Sequence, residues 1–235
     1  MSNGQYFGGG RVKEENKNKE ILPVSTKQED FLNIAATISS IAPWVGGPVS
    51  SVLSGMSISR KIERINEVLL NMAKEIKSIE SEIPKDYVKT EEFQELLEKT
   101  LQQVSNERND EKRRAYATFL VNDIKNPAYD IYEEKIRFLR TLEEIQPNHI
   151  HILRSMMLKP DPNPVGIGSI SKTLEKRLPN IPAEKIKDLA EQLSDMKLAN
   201  LSNLNTTMTG KGAEQLQSRI TSYGQRFIKY IISEE

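Results

Sequence analysis

The chain has 235 residues, enough to bury a sizeable core, and its 33 lysines and arginines balance 33 aspartates and glutamates to a formal net charge of 0. That balance argues against a protein whose whole surface tracks phosphate. With no cysteine and two histidines, disulfides, thiolate-held metals, iron–sulfur clusters, thiol nucleophiles and an imidazole-rich metal site are set aside, and neither cofactor nor metal is expected.

Residues 1–30 run from Gly8-Gly9-Gly10 into the charged, amide-rich stretch Lys13 to Glu20. Such composition buries too little apolar surface to offset the entropy of ordering, which predicts a disordered tail. A basic start followed directly by an apolar run is missing, and Ser2 stands where N-myristoylation needs glycine, so a cytoplasmic protein is expected.

From Phe31 to Ser59 no residue is ionisable. A straight spanning helix wants about 20 continuous apolar residues, and Pro43, Gly46, Gly47 and Pro48 interrupt this stretch. Two short apolar helices with Trp44 at the turn fit better. The residues that would meet a membrane or a partner are Ile38, Ile41, Trp44, Val45, Gly46, Gly47, Val49, Val52 and Leu53, because Gly and Ser permit close helix approach and Trp favours interfaces. The alternative use of the same hairpin is permanent burial in a helical core.

Ile62, Ile65, Leu69, Met72, Ile76, Ile79 and Ile83 recur at alternating spacings of three and four, a heptad seam, and Pro84 ends the helix. The seam serves either packing inside one bundle or self-association. Thr90 caps a second helix carrying Phe93, Leu96, Leu97, Leu101 and Val104. The charged patch Asn106 to Arg114 then leaves two options, one bent helix or two helices with a break near Asn109-Asp110. Asn126-Pro127 stops the chain before a helix with Ile131, Tyr132, Ile136, Leu139, Leu142 and Ile145 inward. Residues 31–146 thus predict an antiparallel helical bundle with an apolar hairpin.

Residues 147–235 change character. Asn148 is a candidate cap for a helix with Ile150, Leu153 and Met157 inward; Ile170, Leu174 and Leu178 mark a second helix; Ile186, Leu189, Leu193 and Met196 mark a third. Leu198 to Met208 with Gly210-Lys211-Gly212 as the turn predicts a small hairpin, and Ile220 to Phe227 leads into a closing helix. That order predicts a winged-helix-like, α+β module in a mainly α chain. In Ile-Thr-x-x-Gly-x-x-Phe, Thr221 turns the strand into the helix and Gly224 lets the backbone approach closely.

Signals for catalysis are weak. His149 and His151 are two apart and point away from each other on a helix. Gly166-Ile167-Gly168 and Gly210-Lys211-Gly212 lack the rest of a phosphate-cradling loop and read as turns. The pairs Glu133-Glu134 and Glu143-Glu144 do not share a helix face, and no Gly-x-Ser-x-Gly elbow occurs. If the C-terminal module met nucleic acid, Lys172, Lys176, Arg177 and Lys211 would touch its backbone, whereas the third helix mixes Glu184, Asp188, Glu191 and Asp195 among its lysines and would repel it.

The segments YEEKIRFLRTLEEIQPNHIHIL (Tyr132 to Leu153) and ITSYGQRFIKYI (Ile220 to Ile231) resemble the C-terminal half of the bacterial abortive infection alpha family. The resemblance implies a non-enzymatic role in phage defence, with no catalytic residues to carry over. The expected protein is an effector or adaptor that works through protein partners, self-association or a membrane surface, with no small-molecule substrate. A DNA-binding regulator that dimerises through its bundle is the alternative.

Overall fold

The computed structural model describes residue 36 and residues 45–54, 56, 59–78, 83–128, 130–164, 166–201 and 203–232. The expected tail at 1–30 lies outside them. The described chain is mainly helical with one small two-stranded sheet.

The first helices follow from their apolar stripes. Helix α1 (Gly46–Ser54) buries Pro48, Val49 and Val52, with Val45 buried just before it, and α2 (Ser59–Ser78) buries Ile62, Ile65, Leu69, Met72 and Ile76 of the heptad seam, with Val68 beside them. Ile79 of the seam lies outside the described residues. The seam faces α3 (Glu91–Asn106) and α4 (Asp110–Lys125) of its own chain, which is the internal use of the heptad.

Local chemistry sets the breaks. A turn of 3-10 helix at Tyr87–Lys89 precedes α3, where the Thr90 hydroxyl accepts from Phe93 N and Glu91 and Glu92 sit on the positive end of the helix dipole. The charged patch resolves into two helices, because the Asn109 side chain accepts from Lys112 N and starts α4 afresh. Helix α4 is buried on most of its circumference, through Ala115, Tyr116, Ala117, Phe119, Leu120, Val121 and Ile124. Helix α5 (Tyr132–Glu144) follows. Ile131 does not point inward as expected: it precedes the first helical turn as the cap residue and stays 67 % exposed.

Helix α6 (Pro147–Met157) is capped by Gln146 rather than Asn148, with Pro147 at the first position, where a missing N–H costs nothing. Met157, expected inward, is exposed at its end. Strand β1 (Ile167–Gly168) occupies the Gly-Ile-Gly segment that reads as a turn, and it pairs antiparallel with β2 (Met208–Thr209), Ile167 opposite Thr209 and Gly168 opposite Met208. Between them stand α7 (Ile170–Arg177) and α8 (Ala183–Asp195). Gly210-Lys211-Gly212 does not turn a hairpin. It opens a short helix, α9 (Gly210–Glu214), because the Thr209 hydroxyl accepts from Gly212 N and Ala213 and Glu214 turn inward. Leu198 to Leu201 instead approaches the end of the module through a bridge between Ala199 and Ile220.

Helix α10 (Ser222–Ile231) joins this region to the preceding helices. Tyr230 stacks on Phe119 of α4 at 5.4 Å, and Phe138 of α5 meets Tyr223, Phe227 and Tyr230 at 5.3, 6.0 and 5.2 Å. Asn122 Nδ2 donates to Lys229 O at 2.8 Å. One apolar core therefore runs through residues on both sides of position 146.

The start of α10 is a clasp. Thr221 Oγ1 donates to Lys197 O at 2.5 Å and accepts from Gly224 N at 2.9 Å, while a Cβ at Gly224 would lie 2.0 Å from Leu198 O. Only glycine fits a backbone contact that close. Lys197 itself ends α8 at φ 60°, the left-handed conformation usually given to glycine, with Leu198 N donating to Leu193 O at 2.9 Å. Gly224→Ala should therefore destabilise the protein by about 2–3 kcal/mol, whereas Lys197→Gly should stabilise it by about 1 kcal/mol. Urea unfolding of both variants reads the two opposite shifts.

Candidate functional site

The described part of the apolar segment predicted to make contacts, residues 45–54, is seated on the core by one face. Val45, Val49 and Val52 are buried, Leu53 is partly buried, Gly46 is half-buried, and Gly47, Ser50, Ser51 and Ser54 face out. Ile38, Ile41 and Trp44 lie outside the described residues. Helix α1 rests on α3, where Ser51 Oγ donates to Glu98 Oε1 at 2.9 Å in an exposed position. Burial of each valine is worth roughly 1.5–3 kcal/mol before opposing entropy is counted. Among the described residues, no helix is long and apolar enough to cross a membrane.

The basic residues named from the sequence divide. Lys172 and Lys211 are exposed, and Lys176 is exposed but pairs with Asp161 Oδ2 at 2.8 Å. Arg177 is no surface cation, contrary to its sequence reading. Its side chain is 10 % exposed, with Nη1 donating to Ser155 O at 2.6 Å and Nη2 against Glu214 Oε2 at 2.5 Å. Glu214 also accepts from Asp161 N at 3.2 Å, so the pair ties together the end of α6, the following loop, α7 and α9. On α8, Glu184, Lys185, Lys187, Asp188, Glu191 and Asp195 are exposed and mixed in sign.

A second set of polar residues turned inward escapes sequence reading. Lys135 Nζ reaches Asp123 Oδ1 at 2.7 Å, Tyr87 Oη at 2.9 Å and Pro127 O at 2.7 Å, and the Tyr87 hydroxyl donates to Asp123 Oδ2 at 2.6 Å. The cluster pins the link before α3 to the ends of α4 and α5. Burial pushes the Asp123 carboxyl above its ordinary value against the opposing pull of Lys135, and the Tyr87 phenol is pushed well above its own by burial and by Asp123. Nearby in sequence, Arg113 of α4 holds Glu67 of α2 at 2.7 Å and Asp110 at 2.6 Å. The charged patch is thus partly an internal seam. Glu-rich, Lys-rich helices give no hint of which charge faces in, since the partners come from other elements.

The two histidines do not meet a common ligand. His151 Nε2 lies 3.0 Å from Glu111 Oε2. His149 is fully buried, and its Nδ1 accepts from Gln146 N at 2.8 Å, completing the start of α6. Burial lowers its basicity below the ordinary 6.5, Lys112 pushes the same way, and the Gln192 side chain opposes both.

Comparison of the chain with protein-family models, with curated proteins and with solved structures finds no match.

Two outcomes follow from the inward polar groups. Lys135→Met leaves Asp123 buried without its cation and should cost about 3–5 kcal/mol, while adding Asp123→Leu should recover much of that loss; chemical denaturation of the single and double variants measures both. His149 has a folded pKa below its unfolded one, so the unfolded chain binds the extra proton and stability must fall as pH drops through about 6.5. His149→Gln should flatten that slope in unfolding curves taken between about pH 7 and pH 5.

Proposed function

We propose that the protein acts by contact rather than by reaction, as a cytoplasmic bacterial phage-defence effector or adaptor. Its apolar N-terminal arm is stored on the helical bundle at rest and docks onto a membrane surface when triggered. The observation that carries this reading is the one-sided seat of α1: among the described residues, Pro48, Val49 and Val52 with Val45 just before them, and one exposed hydrogen bond to α3, with glycine and serine on the outer face. A helix held this way detaches at a smaller cost than α4, which is enclosed on most sides.

The defence assignment rests on the resemblance to the abortive infection alpha family. The two segments that carry it, one around α5 and one around α10, lie against each other through Phe138 and the aromatic residues of α10, and Thr141 Oγ1 lies 2.7 Å from Tyr223 Oη. We read residues 147–235 as a winged-helix-like module, supported by the order of α6, α7 and α8, the β1–β2 pair, the Ala199–Ile220 bridge and the Thr221 clasp. With Arg177 inside and α8 mixed in sign, this module suits packing and protein contact better than a phosphate backbone.

Loosening the arm should expose it. Val49→Ala with Val52→Ala removes about 2 kcal/mol at each site, which raises the detached population by roughly a thousandfold. In vesicle flotation with phosphatidylethanolamine and phosphatidylglycerol, the double variant should float far more than the wild type. Adding Ser51→Cys and Glu98→Cys, bridged by a short bismaleimide, should abolish the gain. Equal flotation of wild type and double variant, or a gain that survives the bridge, would count against membrane docking by this arm.

A further inference from the structure

A cleft of about 330 Å³ opens between α3 and α5, with Tyr116 of α4 among its lining. Tyr116 is 1 % exposed and packs as part of the core, and burial together with the Glu107 and Glu143 carboxylates pushes its phenol well above its ordinary value. Gln103 on the cleft wall donates through Nε2 to Glu143 Oε2 at 2.9 Å, which fixes the amide orientation and leaves its Oε1 buried with no donor. A buried acceptor without a donor thus stands on the wall of this opening, with the phenol of Tyr116 in the same lining.

The charges around the cleft are unequally engaged. Glu107 is spent: Lys112 Nζ lies 3.0 Å away and Asn109 N donates to it at 2.8 Å. Lys99 is held by Glu95 at 2.6 Å. Among the described residues the Glu143 carboxylate accepts from Gln103 alone, its backbone carbonyl taking Lys112 Nζ at 2.8 Å, and Arg140, exposed one turn earlier on α5, pairs with no carboxylate. The cleft therefore offers one open carboxylate, one open guanidinium, the unanswered Gln103 Oε1, the phenol of Tyr116 and the apolar wall of Ile136 and Leu139.

We propose that this cleft binds a small zwitterion of the amino-acid class, its ammonium group toward Glu143 and Tyr116, its carboxylate toward Arg140, and an aliphatic side chain against Ile136 and Leu139. An anion alone leaves Glu143 unanswered and brings like charge beside it. An amine alone leaves Arg140 unanswered. Only a molecule carrying both charges a few bonds apart meets both groups. Binding here is recognition and involves no bond-making step, and it stands whether or not the arm at α1 ever detaches.

Three probes separate the possibilities with the full chain: L-leucine, 3-methylbutylamine, which lacks the carboxylate, and 4-methylpentanoate, which lacks the ammonium. Titration calorimetry should give saturable L-leucine binding with a Kd of about 10 μM to 1 mM, and binding of either half-molecule at least about tenfold weaker. Arg140→Gln and Glu143→Gln, both at exposed positions, should each weaken L-leucine by about tenfold or more, and Tyr116→Phe should weaken it by a smaller factor, about threefold. Unchanged melting temperatures of the unliganded variants show that each is folded. Absence of saturable L-leucine binding, equal binding of all three probes, or wild-type affinity in both charge variants would overturn the proposal.

Discussion

Helix α4 has apolar side chains on most of its circumference, and a helix of that kind can exist in water only if neighbours enclose it. Helix α2 covers one side through the heptad seam, and α10 covers another, with Tyr230 against Phe119. The second cover is the demanding one, because it depends on Gly224 sitting against the Leu198 carbonyl at a distance that no side chain tolerates. That contact aims α10, and the aim puts the aromatic residues where Phe119 and Phe138 need them.

Enclosing α4 also draws charges inward, and the structure answers each with a partner from a different element. Lys112 meets Glu107 and the Glu143 carbonyl, Arg113 meets Glu67, and Asp123 meets Lys135 and Tyr87. Such pairs add little net stability over apolar residues of the same shape, but they punish any arrangement that separates them. The junctions of α2, α3, α4 and α5 are set by this matching as well as by apolar contact. By comparison the described contacts of α1 are one apolar face, Pro48, Val49, Val52 and Leu53, and one surface hydrogen bond, with no buried ion pair among the described residues.

How much of this was legible in the sequence depended on the range of the interaction that decides it. The heptad of α2, the Thr90 cap, the stop at Asn126-Pro127 and the Thr221-x-x-Gly224 turn all act within a few residues, and each could be read from spacing and side-chain chemistry. Periodicity misplaced Ile131 and Met157 because both stand at helix ends, where the next turn that would carry them inward does not form. Gly210-Lys211-Gly212 read as a turn, and the burial of Ala213 and Glu214 that favours a helix there depends on contacts with distant elements. Of the candidate site residues, Val45, Val49 and Val52 were singled out by their apolar character, which serves burial and partner or membrane contact equally, and they pack inward here. Arg177 did not, since its partner Glu214 is 37 residues away and neither charge is unusual in its neighbourhood. The cleft beside Tyr116 left no trace in the sequence, for its groups come from three helices.

The distance along the chain between α4 and its second cover has a further consequence. Asn122 waits for a backbone carbonyl 107 positions later, so the groove that α10 fills stays open while the intervening residues are being synthesised. On the ribosome, α2, α3 and α4 emerge together and can associate early, yet the nascent polypeptide carries a bare aromatic-lined furrow until translation has passed Ile231. Synthesis of this protein therefore includes an interval in which apolar surface is exposed, the condition under which nascent chains in general are prone to aggregate.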